Sequence, residues 1–135
     1  MQGACACGAV AFRCTKPSRS VIHCHCGQCR RASGGAFTTW VSFDREGFEL
    51  HGEASLASYA LTSNVARHFC RTCGTHVHTS DQRYPQIVGV PAGVVMSAAG
   101  IEPKAHYFVG HQAAWHVIGD DLPRHGGESG FEKLG

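Results

Sequence analysis

Apolar side chains recur along this chain in short runs, several with the every-other-residue spacing of a half-buried strand, and turn formers such as Gly47, Asn64 and Asp81 separate many of them. Residues 4–14 alternate small or polar with apolar side chains up to Lys16-Pro17-Ser18, which predicts one strand followed by a turn. Further strands are predicted at 20–24, 37–43, 48–51, 56–61, 66–69, 75–79, 87–90, 105–109 and 113–118, before a polar, Gly-rich tail from Gly126. The run 27–32 lacks β-branched residues and is closed by Ser33-Gly34-Gly35, so it predicts a single helical turn, the one notable helix. Residues 91–100 read equally as an irregular turn or a short helix.

The expected class is therefore all-β, and a chain of 135 residues predicts one domain spanning 1–135, because a second core would leave each half too small. Seventeen glycines fit many tight turns, since glycine takes positive φ at little cost. A hydrophobic fraction of 43% with 16% charged residues argues for a packed core and against disorder.

The eight cysteines sit at 5, 7, 14, 24, 26, 29, 70 and 73, and their clustering is the chemical signal. Cys70-Arg71-Thr72-Cys73-Gly74 is a knuckle in which two sulfurs on one tight turn share an ion. Cys5 and Cys7, two apart on the predicted strand, leave the same face. A structural zinc site closes with four ligands, and the knuckle can supply the second pair; spacing alone equally allows the knuckle to join the middle cluster.

That middle cluster, Cys24, Cys26 and Cys29, can cup one ion through three sulfurs. Three protein ligands leave a fourth position for water or a substrate atom, the arrangement of a catalytic zinc. The competing reading closes the site with His23, His25 or one of the other histidines. Cys14 has no partner at ligand spacing and reads as a small buried apolar residue. His76 and His78 read as packing beside the knuckle.

Charge excludes one class of partner. The formal net charge is +2 with neutral thiols; losing seven thiol protons and gaining two divalent ions would bring it to −1. Arg30-Arg31 is the one adjacent basic pair, so nucleic acid is not an expected partner. The amino terminus carries no basic-then-apolar leader and no stretch approaches a membrane span, so the expected location is cytoplasmic, without membrane contact. In that reducing compartment close cysteine pairs serve metals more than disulfides.

With these residues in view, the chain resembles the glutathione-dependent formaldehyde-activating enzyme family, also called the centromere protein V / GFA family. The resemblance is carried by Gly3 to Phe12 (GACACGAVAF), His23 to Gly34 (HCHCGQCRRASG), Arg67 to Thr75 (RHFCRTCGT) and His106 to Pro123 with its Trp115. It implies a β-tent (Mss4-like) fold of antiparallel sheets tied by a structural zinc on Cys5, Cys7, Cys70 and Cys73. A second, catalytic zinc is implied on Cys24, Cys26 and Cys29 at a glutathione site, giving two Zn2+ per chain.

The implied activity is S-(hydroxymethyl)glutathione formation from glutathione and formaldehyde or another small aldehyde, with carbon–sulfur lyase action in reverse or on a related conjugate. Glutathione carries two carboxylates, so Arg30, Arg31 and Arg67 are the candidate substrate contacts, with Gln28 and Ser33 beside the open site. A zinc scaffold that binds a protein or nucleic-acid partner is the alternative from another class. The sequence leaves the oligomeric state open.

Overall fold

The computed structural model describes residues 1–97 and 100–135. In chain order the elements are β1 (Gln2–Ala4), β2 (Ala11–Cys14), β3 (Ser20–Cys24), α1 (Gly27–Ser33), β4 (Thr38–Asp44), β5 (Phe48–His51), β6 (Leu56–Ala60), β7 (Val65–Cys70), β8 (His76–Asp81), β9 (Ile87–Pro91), β10 (His106–Tyr107), β11 (His125–Gly126) and β12 (Glu132–Lys133). Among the described residues α1 is the one α-helix, and single 3₁₀ turns occur at Glu53–Ser55, Ala92–Val94 and Val109–His111. The class is all-β.

The chain divides into two compact units, Met1–Arg19 with Val41–Ile101, and Ser20–Trp40 with Glu102–Gly135. The first unit holds the antiparallel sheet β1-β2-β5 and the antiparallel run β9-β8-β7-β6. Its core follows the alternation read from sequence: Val41 and Phe43 in β4, Val77 in β8, and Val88 and Val90 in β9 are fully or almost fully buried with Val10 and Phe12. Each buried side chain of this size contributes roughly 1.5–3 kcal/mol. In the second unit β10 pairs parallel with β3, His106 opposite His23 and Tyr107 opposite Cys24, while β11 and β12 form a small antiparallel pair.

Three expectations are corrected. Residues 4–14 are not one strand: β1 ends at Ala4 and the chain turns through Cys5–Val10 before β2. The turn is closed by the Cys5 N–H to the Val10 carbonyl at 2.9 Å, with Gly8 at φ 80°. The alternation is real, but Gly8 reverses it into a hairpin.

Residues 113–118 form no strand: the His116 N–H bonds the Ala113 carbonyl in a local turn, burying Ala113 and Ile118 and exposing Trp115 and Val117. The predicted strand at 105–109 shortens to two residues because Phe108 takes a left-handed φ of 56°. Within the polar, Gly-rich end of the chain, β11 and β12 lie between 125 and 133. Of the run 91–100, residues 92–94 are a 3₁₀ turn, and 98 and 99 lie outside the described residues.

One buried side chain in the first unit gives a pH prediction. His78 on β8 is 6% exposed, stacked on His68 at 4.3 Å and tilted against Phe48 at 5.5 Å. Burial pushes its imidazole down to about 3. The unfolded chain takes up this proton below about pH 6.5, whereas the folded one refuses it until about pH 3, so the stabilisation is complete above 6.5 and is lost as pH falls through that window. Denaturant titrations at pH 7, 5 and 4 are expected to give a His78→Leu variant a slope shallower by up to about 1.4 kcal/mol per pH unit. Equal slopes would count against a neutral buried imidazole.

Candidate metal centres

The first cysteine set joins two turns of the first unit. Cys5 and Cys7 lie in the β1–β2 turn; Cys70 ends β7 and Cys73 sits in the following turn, where Gly74 takes φ 78° and donates its N–H to the Cys70 carbonyl at 2.8 Å. Thr75 links the turns, accepting the Ala6 N–H at 3.0 Å through its hydroxyl and lying 3.2 Å from the Cys73 sulfur. The four sulfurs lie within 4.8 Å of one another, with Cys7 at 3.7 Å from both Cys5 and Cys70.

A tetrahedral ion with bonds of about 2.3 Å needs sulfur–sulfur separations of about 3.8 Å, and the separations of Cys7 from Cys5 and Cys70 match that edge. Its thiols are split in acidity. Cys73 is drawn down to about 5 by the Thr75 hydroxyl and amide, while Cys7, despite the Ala9 amide, is pushed up to about 11 by burial and its sulfur neighbours. Four thiolates at this spacing repel one another, and a divalent cation relieves that repulsion.

The second set is built around α1. Cys24 is the last residue of β3, Cys26 is the residue that caps α1, and Cys29 is buried in its first turn. The Cys26 sulfur accepts the Cys29 N–H at 3.3 Å and its carbonyl accepts the Arg30 N–H at 3.0 Å; Gly34, at φ 70°, closes the far end by bonding the Arg30 carbonyl at 2.8 Å. The three sulfurs lie within 4.8 Å of one another. Among the described residues no further His, Cys, Asp or Glu ligand atom joins this set.

The histidines considered for closing it are engaged elsewhere. His23 Nδ1 lies 2.8 Å from the Thr39 hydroxyl, and His25 Nε2 lies 2.8 Å from His106 Nδ1. Hydrogen bonds from Cys24 and then Cys29 hold the Cys26 thiol far below its ordinary value, and the same contacts raise Cys24. The soft sulfur donors of the trio suit zinc.

The tentative substrate residues divide. Gln28 and Arg31 are exposed on α1 and Arg30 is half-buried there. Ser33 is occupied at the helix end, its hydroxyl 3.2 Å from the Phe37 carbonyl and accepting the Gly35 N–H at 3.1 Å. Arg67 belongs to the other unit, on β7 between Tyr59 and Thr79. Cys14 is 6% exposed, and burial pushes its thiol up to about 11, as expected of an inert packing residue.

Two features escape sequence reasoning. The indole Nε1 of Trp40 donates to the Cys29 sulfur at 3.4 Å. A ring cluster also forms in the second unit: His106 Nε2 lies 3.0 Å from both carboxylate oxygens of Asp120, His23 stacks on His106 at 4.8 Å, and Phe37 packs on His23 at 4.6 Å. Burial pushes His25 in this cluster down to about 4. The β3–β10 pairing brings positions 23 and 106 together, and no local pattern signals it.

Fold and sites define a small all-β protein with two cysteine sets, one of four sulfurs and one of three. The sequence profile of the glutathione-dependent formaldehyde-activating enzyme family matches residues 1–111, and the chain belongs to that family. A Halomonas elongata protein, provisionally named a glutathione-dependent formaldehyde-activating enzyme, is 31% identical over 126 residues, covering 87% of this chain and 80% of that one. A Rhodobacter sphaeroides protein of known crystal structure shares the fold, with a TM-score of 0.61 at 24% identity over 73% of this chain and 90% of its own. Among the described residues no helix is long and apolar enough to cross a membrane.

Proposed function

We propose that this chain is a zinc enzyme that joins glutathione to formaldehyde, or to another small aldehyde, giving the S-(hydroxymethyl) adduct and splitting it in reverse as a carbon–sulfur lyase. The observation that carries the reading is the difference between the two cysteine sets: one has the four ligands of a closed structural site, the other has three. Family membership and the relative's name support glutathione and formaldehyde as the reactants.

Cys5, Cys7, Cys70 and Cys73 would hold one zinc, and Cys24, Cys26 and Cys29 the other. A zinc at the three-cysteine site supplies a binding position at which a thiol loses its proton readily. The reaction forms one sulfur–carbon bond; the carbonyl π pair becomes the hydroxyl's, the thiol proton ends on that oxygen, and nothing is oxidised or reduced.

The chain's own groups bind and orient. Arg30 and Arg31 on α1 offer guanidinium groups to the glutathione carboxylates, and Gln28 offers an amide beside them. Cys26 acts as both ligand and helix cap, so the metal site and the helix bearing these side chains share one anchor.

Exchange NMR with 13C-formaldehyde and glutathione measures the test quantity directly, because the adduct also forms unaided in water. The metal-loaded protein is expected to raise the rate of exchange between free and glutathione-bound formaldehyde above the rate without protein. Equal rates would sink the catalytic reading.

A further inference from the structure

Two sulfurs of the three-cysteine site accept an N–H within hydrogen-bond distance, and the two donors differ in kind. Cys26 accepts the backbone N–H of Cys29 at 3.3 Å. That donor is fixed by the course of the main chain. Cys29 instead receives the indole N–H of Trp40 at 3.4 Å, a donor set by the identity of a side chain.

Trp40 is placed for this by its strand. Thr38 and Trp40 are two apart on β4 and leave the same face. The Thr38 hydroxyl donates to the Cys29 carbonyl at 2.8 Å while Trp40 reaches the Cys29 sulfur, so β4 grips one residue of α1 at two points. Thr38 and Cys29 are each 5% exposed, so the hydroxyl contact is shielded from water, where hydrogen bonds are strongest, while Trp40 is half-buried.

We propose that Trp40 is a positioning residue of the three-cysteine site, fixing the Cys29 sulfur and withdrawing charge from it. The inference rests on the reading of Cys24, Cys26 and Cys29 as metal ligands. Three thiolates around a divalent ion leave a net charge of −1, which blunts its attraction for a fourth, incoming donor. An N–H directed at sulfur draws electron density off the ligand, so the ion holds an incoming thiol or aldehyde oxygen more firmly.

The test is a Trp40→Phe variant, which keeps an aromatic ring and deletes the N–H, loaded with Co2+ as the probe. Two ions per chain are expected in the parent protein. In the variant the sulfur-to-cobalt charge-transfer band of the three-cysteine site is expected to move to lower energy, and zinc competition to show about 10–100-fold weaker binding there. A purely packing role for the indole would lower the melting temperature and leave the band and the zinc affinity in place, and that result overturns the proposal.

A parent protein that takes up a single ion removes the ligand reading and the proposal with it; two ions with an unmoved band remove the proposal alone. A second measurement needs no folded variant. In the 15N-labelled parent, the Trp40 indole proton is expected to shift on metal loading and exchange slowly with solvent, unlike that of Trp115, which is 71% exposed. Two indoles that exchange equally fast and do not respond to metal also overturn it.

Discussion

Cys70→Ser is expected to abolish the cooperative unfolding transition of the first unit. Cys70 is fully buried, its sulfur lies 3.7 Å from that of Cys7, and it ends β7, which pairs with β6 on one side and β8 on the other. Thr75 ties the turns carrying the four sulfurs, and an ion held by those sulfurs would add a second cross-link between these short loops. Structural zinc contributes about 10–16 kcal/mol in small zinc-binding peptides, against a net stability of about 5–15 kcal/mol for a typical domain. Losing one of four thiolates therefore removes an amount comparable to the whole.

Circular dichroism melts should show no sigmoidal transition for the variant, and a chelator should reproduce that behaviour in the parent protein. Cys14→Ala is the control: it removes a buried cysteine outside both sets and should cost about 1 kcal/mol. A Cys70→Ser protein that melts like the control would show that the four-cysteine set does not hold the fold.

Strands were legible where alternation met a buried face. The runs 20–24 and 48–51 coincide with β3 and β5, and buried Val88 and Val90 mark β9. Alternation failed where a glycine redirected the chain or no partner strand existed. Gly8 turns the Cys5–Cys7 segment back on itself, so these sulfurs converge through a hairpin and not through a shared strand face. The segment at 113–118 has strand-like composition yet pairs with nothing, because a strand is stabilised by its neighbour and not by its own pattern.

Cysteine spacing revealed the clusters, because turns keep sulfurs close in sequence: the middle three fall within six residues and each half of the outer set within four; that the knuckle joins Cys5 and Cys7 came from the family resemblance and not from spacing. The surroundings were not legible. Trp40 is eleven residues from Cys29, and His106 is eighty-one from His25, distances at which only pairing between strands decides contact.

Cys26→Ser is expected to remove the second metal and leave the fold standing. On the proposed metal site the side chain would have two duties, ligand and helix cap, and serine can perform the second: its hydroxyl accepts the Cys29 N–H that the sulfur now takes at 3.3 Å. α1 should therefore persist, still closed at Gly34, with Thr38 gripping Cys29. Two thiolates and a neutral hydroxyl are a poor zinc site, and removing an inner ligand should weaken binding by more than the 10–100-fold typical of outer partners. Elemental analysis should fall from two zinc ions per chain to one, with an unchanged melting profile and calorimetric binding of glutathione weakened at least about 100-fold. A variant that unfolds would mean that the three-cysteine site is structural after all. One that loses the ion yet binds glutathione as before would place the substrate elsewhere on the protein.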